Sequence, residues 1–239
     1  MSLTSSSALN SPSRADKKPI LCYVTDRSSL PHAPQDDPFH PLLEKIQAIA
    51  TAGVDWIQLR EKDLSGRESA ALVRKAIFRV SNESHLAGTV PRILLNDRLD
   101  VALSEHAGGI HLGENSFSFQ ETRRLLLAHL PGPSPARDFI VGVSCHSLEA
   151  AQSAASAGAD YIFFGPVFAT PSKAAFGPPQ GVERLAAVCN SVAIPVLAIG
   201  GITLANAPSC ISAGASGIAA IRLFQDAADP LKVVRQLRA

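Results

Sequence analysis

The sequence predicts a single-domain (β/α)8 TIM barrel, and three observations carry that prediction. A short motif returns four times: AGVDWIQL begins at Ala52, AGGIHL at Ala107, AGADYIFF at Ala157 and AGASGIAAI at Ala213. By subtraction the starts lie 55, 50 and 56 residues apart, too far for one βα unit and right for two. A second strand-like run precedes each return, so strand and helix alternate eight times. These runs are continuously apolar, as parallel strands covered on both faces should be. Eight right-handed βα units close most naturally into a barrel. An open doubly wound sheet is the alternative, disfavoured because no G-x-G-x-x-G follows the first strand.

The elements follow in order. ILCYV (20–24) is the first strand and 41–52 the first helix; the first return supplies the second strand, and 66–84 the second helix. RILLN (92–96) leads to a helix over 97–106, the second return to a helix over 118–130, and FIVGVS (139–144) to a helix over 147–157. The third return leads to 181–190, IPVLAIGG (194–201) to 203–213, and the fourth return to 229–238. In each return the glycine reads as a helix C-cap feeding a buried strand. The Pro-rich stretch 28–41 lengthens the first βα loop on the active face of a barrel, whereas LPGPSPARD (130–138) falls on the opposite face.

With 46% hydrophobic residues the chain can bury one sizeable core. Residues 1–19 are Ser-rich and lack an apolar run, so they read as a flexible tail rather than a secretory signal, leaving 20–239 as the barrel. A formal net charge of +1, with Lys and Arg scattered, asks for neither a nucleic acid nor a membrane surface. Cys22, Cys145, Cys189 and Cys210 form no CxxC pair and suit small core positions in a reducing cytoplasm.

A barrel gathers its chemistry where strands end and βα loops begin. The first strand ends in Thr25, Asp26 and Arg27, and the second in Gln58, Arg60, Glu61, Lys62 and Asp63. The third ends in Asn96, Asp97 and Arg98, the fourth in GIHLGENSFS, and the fifth in Ser144, His146 and Ser147. The sixth ends in Thr170, Ser172 and Lys173, the seventh in Gly200–Gly201, and the eighth in IRLF. Alternation places Gln58, Arg60 and Lys62 on one face, aimed into the mouth. Cations with a carboxylate suit an anionic, phosphorylated substrate and a divalent ion. The glycine pair with the run after it matches the phosphate site barrels build after strands 7 and 8. Taken singly, each feature is a solvated strand end, a helix cap or a turn; their meeting at one barrel end is what points to a site.

With YVTDR, QLREKD, NDRLDVAL, GIHLGE, GVSCHSLEAA, GADYIFFGPVFATPSK, IPVLAIGGI and AGASGIAAI in this order, the chain resembles the thiamin phosphate synthase and TenI superfamily from about Leu21 to Pro230. In its synthases a pyrimidine diphosphate loses pyrophosphate and the nitrogen of a thiazole phosphate captures the resulting cation. The resemblance implies that Gln58, Arg60, Lys62 and Asn96 grip the diphosphate, that Asp97 holds Mg2+, and that Ser144 and Lys173 contact the leaving pyrophosphate. It implies a thiazole phosphate bound by Thr170, Ser172, Gly200, Gly201, Ile221 and Arg222. Arg60, Lys62, Lys173 and His146 are the candidate catalytic residues. Assembly as a homodimer is implied by the same resemblance, whereas the cytoplasmic location is the expectation drawn from the scattered cysteines.

Two positions depart from the pattern. Where the family carries GQED, this chain has GENS, so Ser116 stands at the usual second Mg2+ ligand, with Glu114 and Asp63 as candidate substitutes. The family's phosphate-binding serine after strand 8 is Arg222, which could clamp a phosphate bidentately or narrow the site. The TenI-type tautomerase branch needs no metal and uses a histidine as acid and base; His146 falls at that position. The intact QLREK, NDR and SK elements favour a diphosphate site, so the expectation is the synthase. The tautomerase is the alternative, and a non-catalytic thiazole-phosphate-binding regulator the further alternative. His111 reads as a packed or hydrogen-bonded residue rather than a ligand.

Overall fold

The computed structural model describes residues 18–31, 37–83, 90–113, 116–129, 138–170 and 178–239. Eight parallel strands close a barrel in chain order: β1 (Ile20–Val24), β2 (Trp56–Leu59), β3 (Arg92–Asn96), β4 (Gly109–Leu112), β5 (Ile140–Cys145), β6 (Tyr161–Phe164), β7 (Val196–Ile199) and β8 (Gly217–Ala220). Outside them run α1 (His40–Ala52), α2 (Gly66–Glu83), α3 (Leu99–Ser104), α4 (Phe119–His129), α5 (Leu148–Ala157), α6 (Gly181–Ser191), α7 (Ala207–Ser212), α8 (Arg222–Gln225) and α9 (Pro230–Arg238). The N-terminal stretch 1–17 and nearly all of the Pro-rich stretch 130–138 lie outside the described residues.

Strand alternation divides the core in two. Side chains facing outward, such as Ile57, Leu59, Ile93 and Leu95, join the apolar layer between sheet and helices. Side chains facing inward, among them Cys22, Leu94, Tyr161, Phe163 and Leu197, fill the barrel itself, with Trp56 and Ile140 beside them. A packed interior of this kind closes the barrel as a pore and leaves chemistry to its rim. Gly142 is required there, because a Cβ at this position would overlap the Tyr161 ring.

Three of the four returning glycines cap helices as expected: Gly53, Gly158 and Gly214 have φ of 92°, 94° and 94°. The second return differs. There His106 takes the left-handed turn at φ 55°, and Gly108 instead admits the Arg92 stem, whose Cγ would lie 2.5 Å from an added Cβ. The Asp of two returns has a task of its own. Asp55 and Asp160 each accept, at 2.7 Å, the backbone N–H of a residue on the preceding strand, Leu21 and Val141.

Several bounds differ from the expected ones for local reasons. Asp97 has φ 62°, so α3 begins at Leu99 rather than at 97. Thr203 and Asn206 bond each other's backbone N–H and hold a turn before Pro208, delaying α7 to Ala207. β7 stops at Ile199 because Gly200 and Gly201 turn away at φ 94° and 66°. The four-residue helix α8 is additional to the expected set. No helix among the described residues is long and apolar enough to cross a membrane.

Candidate active site

Polar side chains meet at the C-terminal rim of β2, β3 and β4. Gln58 is buried, and its Nε2 donates to Asn96 Oδ1 at 3.0 Å. Asn96 Nδ2 donates in turn to Asp97 Oδ2 at 2.6 Å. Asp97 Oδ1 accepts the Gly113 N–H at 3.1 Å and the Ser116 hydroxyl. The same Gly113 N–H also reaches Ser116 Oγ, at 2.6 Å. Four expected site residues from three strands thus form one hydrogen-bonded chain. The left-handed backbone at Asp97 folds its carboxylate back over β4, and the Asp97 N–H donates to the His111 carbonyl at 3.0 Å.

Lys62 reaches this region by another route than alternation. β2 ends at Leu59, and Lys62 sits on a turn. It lines a cavity of about 300 Å³ with Asn96, Asp97 and Arg98, floored by Leu59 and Leu95. Those leucines belong to the layer between sheet and helices, so the cavity opens behind the strands rather than on the barrel axis. Arg60 follows the last residue of β2, with its N–H held by Thr25 Oγ1 at 3.0 Å.

Asp63, a candidate metal ligand, is exposed and pairs with Arg27. The Glu61 side chain, 5% exposed, lies beside it, accepting from Thr25 Oγ1 at 2.5 Å and from the Arg27 N–H at 3.1 Å. Burial raises the Glu61 pKa against the opposing pull of these partners. Glu114 lies outside the described residues.

Below the rim, His111 is 2% exposed. Its Nδ1 lies 3.1 Å from the Tyr161 hydroxyl and its Nε2 2.8 Å from Ser144 Oγ. Its ring packs on Phe163 at 4.2 Å between centroids. Burial drives the His111 pKa down to about 3; Asp97 opposes the fall and Arg60 adds to it. The imidazole is neutral, and Ser144 is brought into its hydrogen-bonded system.

Around the other half of the rim the expected residues are more widely spread. His146 Nδ1 is bound to the Gly165 carbonyl oxygen. Thr170 is half-buried in the loop after β6, and Ser172 and Lys173 lie outside the described residues. Gly200 faces Pro166, whose Cβ would lie 2.5 Å from an added Cβ; the N–H groups of Val167 and Phe168 bond the carbonyls of Ile199 and Gly200. The glycine pair therefore also lets the β6 loop lie against the end of β7. Ile221 caps α8 and packs against the barrel interior, while Arg222 begins that helix and is exposed.

One residue organising the rim carried no motif. Gln225, 3% exposed in α8, accepts from the Tyr23 hydroxyl at 2.7 Å and the Asp26 N–H at 3.2 Å. It donates to the Asp26 carbonyl at 2.7 Å and Ser29 Oγ at 2.5 Å. Every donor and acceptor of its amide is used.

A family model described as thiamine monophosphate synthase matches residues 30–224. A putative thiamine-phosphate synthase of Geobacter sulfurreducens is 41% identical over 198 residues, 83% of this chain and 86% of the relative. A thiamine-phosphate synthase of Roseiflexus sp. (strain RS-1) is 42% identical over 92% of this chain and 84% of its own. Among solved structures, a thiamine phosphate pyrophosphorylase from Pyrococcus furiosus superposes with a TM-score of 0.73 at 30% identity, covering 94% of this chain and 95% of that one.

Proposed function

The chain belongs to the thiamine monophosphate synthase family, and from that membership we infer its reaction. It is a transferase of thiamin biosynthesis that joins hydroxymethylpyrimidine diphosphate to hydroxyethylthiazole phosphate, giving thiamin phosphate and pyrophosphate. The bond between the pyrimidine methylene carbon and its diphosphate oxygen breaks, and the electron pair leaves with pyrophosphate. The thiazole nitrogen supplies the pair for the new carbon–nitrogen bond. Neither step needs a proton moved, so the protein's work is positioning and charge stabilisation.

The observation that carries the reading to this chain's residues is the chain Gln58–Asn96–Asp97–Ser116 beside Lys62. Gln58, Arg60, Lys62 and Asn96 hold the diphosphate; Ser144 and Lys173 contact it as it leaves. Thr170, Ser172, Gly200, Gly201, Ile221 and Arg222 take the thiazole phosphate. The tautomerase alternative is less well supported, because the relatives at 41% and 42% identity carry the synthase name.

The donor set also fits Mg2+. Asp97 presents one carboxylate at the rim, and this ion is commonly held by one or two carboxylates together with substrate phosphates. The described partners of Asp97 fill three of its four acceptor positions, so one remains for a cation. When bound, Mg2+ neutralises charge on the diphosphate oxygens as they depart. We infer a reducing cytoplasm as the setting of the reaction, which suits four cysteines with no CxxC pair.

The test is one assay with both phosphorylated heterocycles, run with Mg2+ and with a chelator. Thiamin phosphate should form in the first and fall to background in the second. Folded protein that makes none with active substrates would refute the reading.

A further inference from the structure

The reaction as described leaves unused a polar chain inside the barrel, Tyr161–His111–Ser144. Tyr161 is 1% exposed, and a buried hydroxyl must give its proton to an acceptor. Among the described residues the partner within reach is His111 Nδ1, at 3.1 Å. Burial also pushes the phenol well above its usual range, so that proton is retained. Two donors cannot face each other across this contact. Nδ1 is therefore bare, and the single proton of the neutral imidazole sits on Nε2.

That tautomer determines the next link. Nε2–H donates to Ser144 Oγ at 2.8 Å, so the serine's own proton is turned away from His111. Ser144 shares the inward face of β5 with Gly142 and is half-buried at the rim. The reversed tautomer would strand the phenolic proton and turn the serine proton inward, leaving lone pairs toward an arriving anion. The surroundings fix the positions of both rings. Gly142 leaves the volume that the Tyr161 ring crosses, and Phe163 stacks on the imidazole.

We propose that Tyr161 and His111 are positioning residues that hold the Ser144 hydroxyl as a hydrogen-bond donor to the departing pyrophosphate. The proposal rests on the synthase reading, in which Ser144 contacts that group. Neither residue touches substrate; they act by fixing the direction of one proton before the reaction begins, so no reorganisation is needed as charge develops.

Two measurements test it. Long-range 1H–15N correlation spectra of protein labelled with 15N-histidine, assigned with His111→Gln, should show a bare Nδ1 and a protonated Nε2; a protonated Nδ1 overturns the proposal. In kinetics, Ser144→Ala should lower kcat about 100-fold. Tyr161→Phe, which removes one atom and keeps the ring, should lower kcat about tenfold with both KM values moved less than about twofold. In the Ser144→Ala background the same change should cost less than about twofold; a full tenfold there would mean the phenol acts structurally and overturns the proposal. His111→Gln, which keeps an N–H near Nε2, should retain more activity than His111→Leu, and equal loss would also overturn it. If wild-type protein makes no thiamin phosphate, the reading of the reaction falls and the Ser144 role with it, while the spectra separately decide the tautomer.

Discussion

Ser116 changes what Asp97 can do at the rim. Its hydroxyl donates to the Asp97 carboxylate, so it orients that group without adding the negative charge a second acidic ligand would bring. Cation affinity rises with the number of charged ligands, and one protein carboxylate leaves most of the binding to the substrate's phosphates. Ser116→Asp should therefore tighten Mn2+ binding in the absence of substrate about tenfold, followed by electron paramagnetic resonance of the free ion. Unchanged affinity would argue that the two positions do not share a cation. The departure at Ser116 was legible from the motif alone. Its hydrogen bond was not, because it depends on Asp97 adopting a left-handed backbone, a local choice that hydrophobic periodicity does not encode. The same limit hid the commitment of Asp63 to Arg27: charge pairing across two loops needs their three-dimensional course.

Among the elements, the strands were the most readable and the short helices the least. Strands buried on both sides must be apolar throughout, and that constraint writes RILLN, YIFF and GIAA openly into the chain. A four-residue helix such as α8 offers no period to detect, yet it does much to order the rim. Through Gln225 it holds the turn at Asp26–Ser29, and Arg27 in that turn links onward to Glu61 and Asp63. The loops after β1, β2 and β8 are consequently one connected unit. Gln225→Leu keeps the bulk but strands the Tyr23 hydroxyl and the Asp26 N–H, while the Asp26 carbonyl keeps the N–H and hydroxyl of Ser29. Each buried group left unpaired costs about 1–3 kcal/mol, so the variant should lose roughly 3 kcal/mol of stability in urea denaturation. A loss below about 0.5 kcal/mol would show that water replaces the amide without penalty.

Over the whole molecule, the packed interior separates two polar ends that serve different purposes. At the C-terminal rim the side chains are arranged around prospective ligands. At the other end they close the barrel on itself. Asp55 accepts the Leu21 N–H and the Arg238 guanidinium, and Arg238 also donates to the carbonyls of Pro19 at 3.2 Å and Gly53 at 2.9 Å. The last residue but one of the chain thereby ties α9 to the entry of β1 and to the cap of α1, across the seam where the first and eighth units meet. The pair is partly exposed, with side-chain exposures of 21% for Arg238 and 36% for Asp55, so water screens its charge and the backbone bonds carry most of the effect. Arg238→Ala should cost about 1–2 kcal/mol by denaturant titration. Because Trp56, Tyr161 and Phe163 stand between this clamp and the rim, kcat in the synthase assay should be unchanged below the unfolding transition. A fall in kcat with no loss of stability would mean that the two ends are coupled through the barrel interior and do not serve separate purposes.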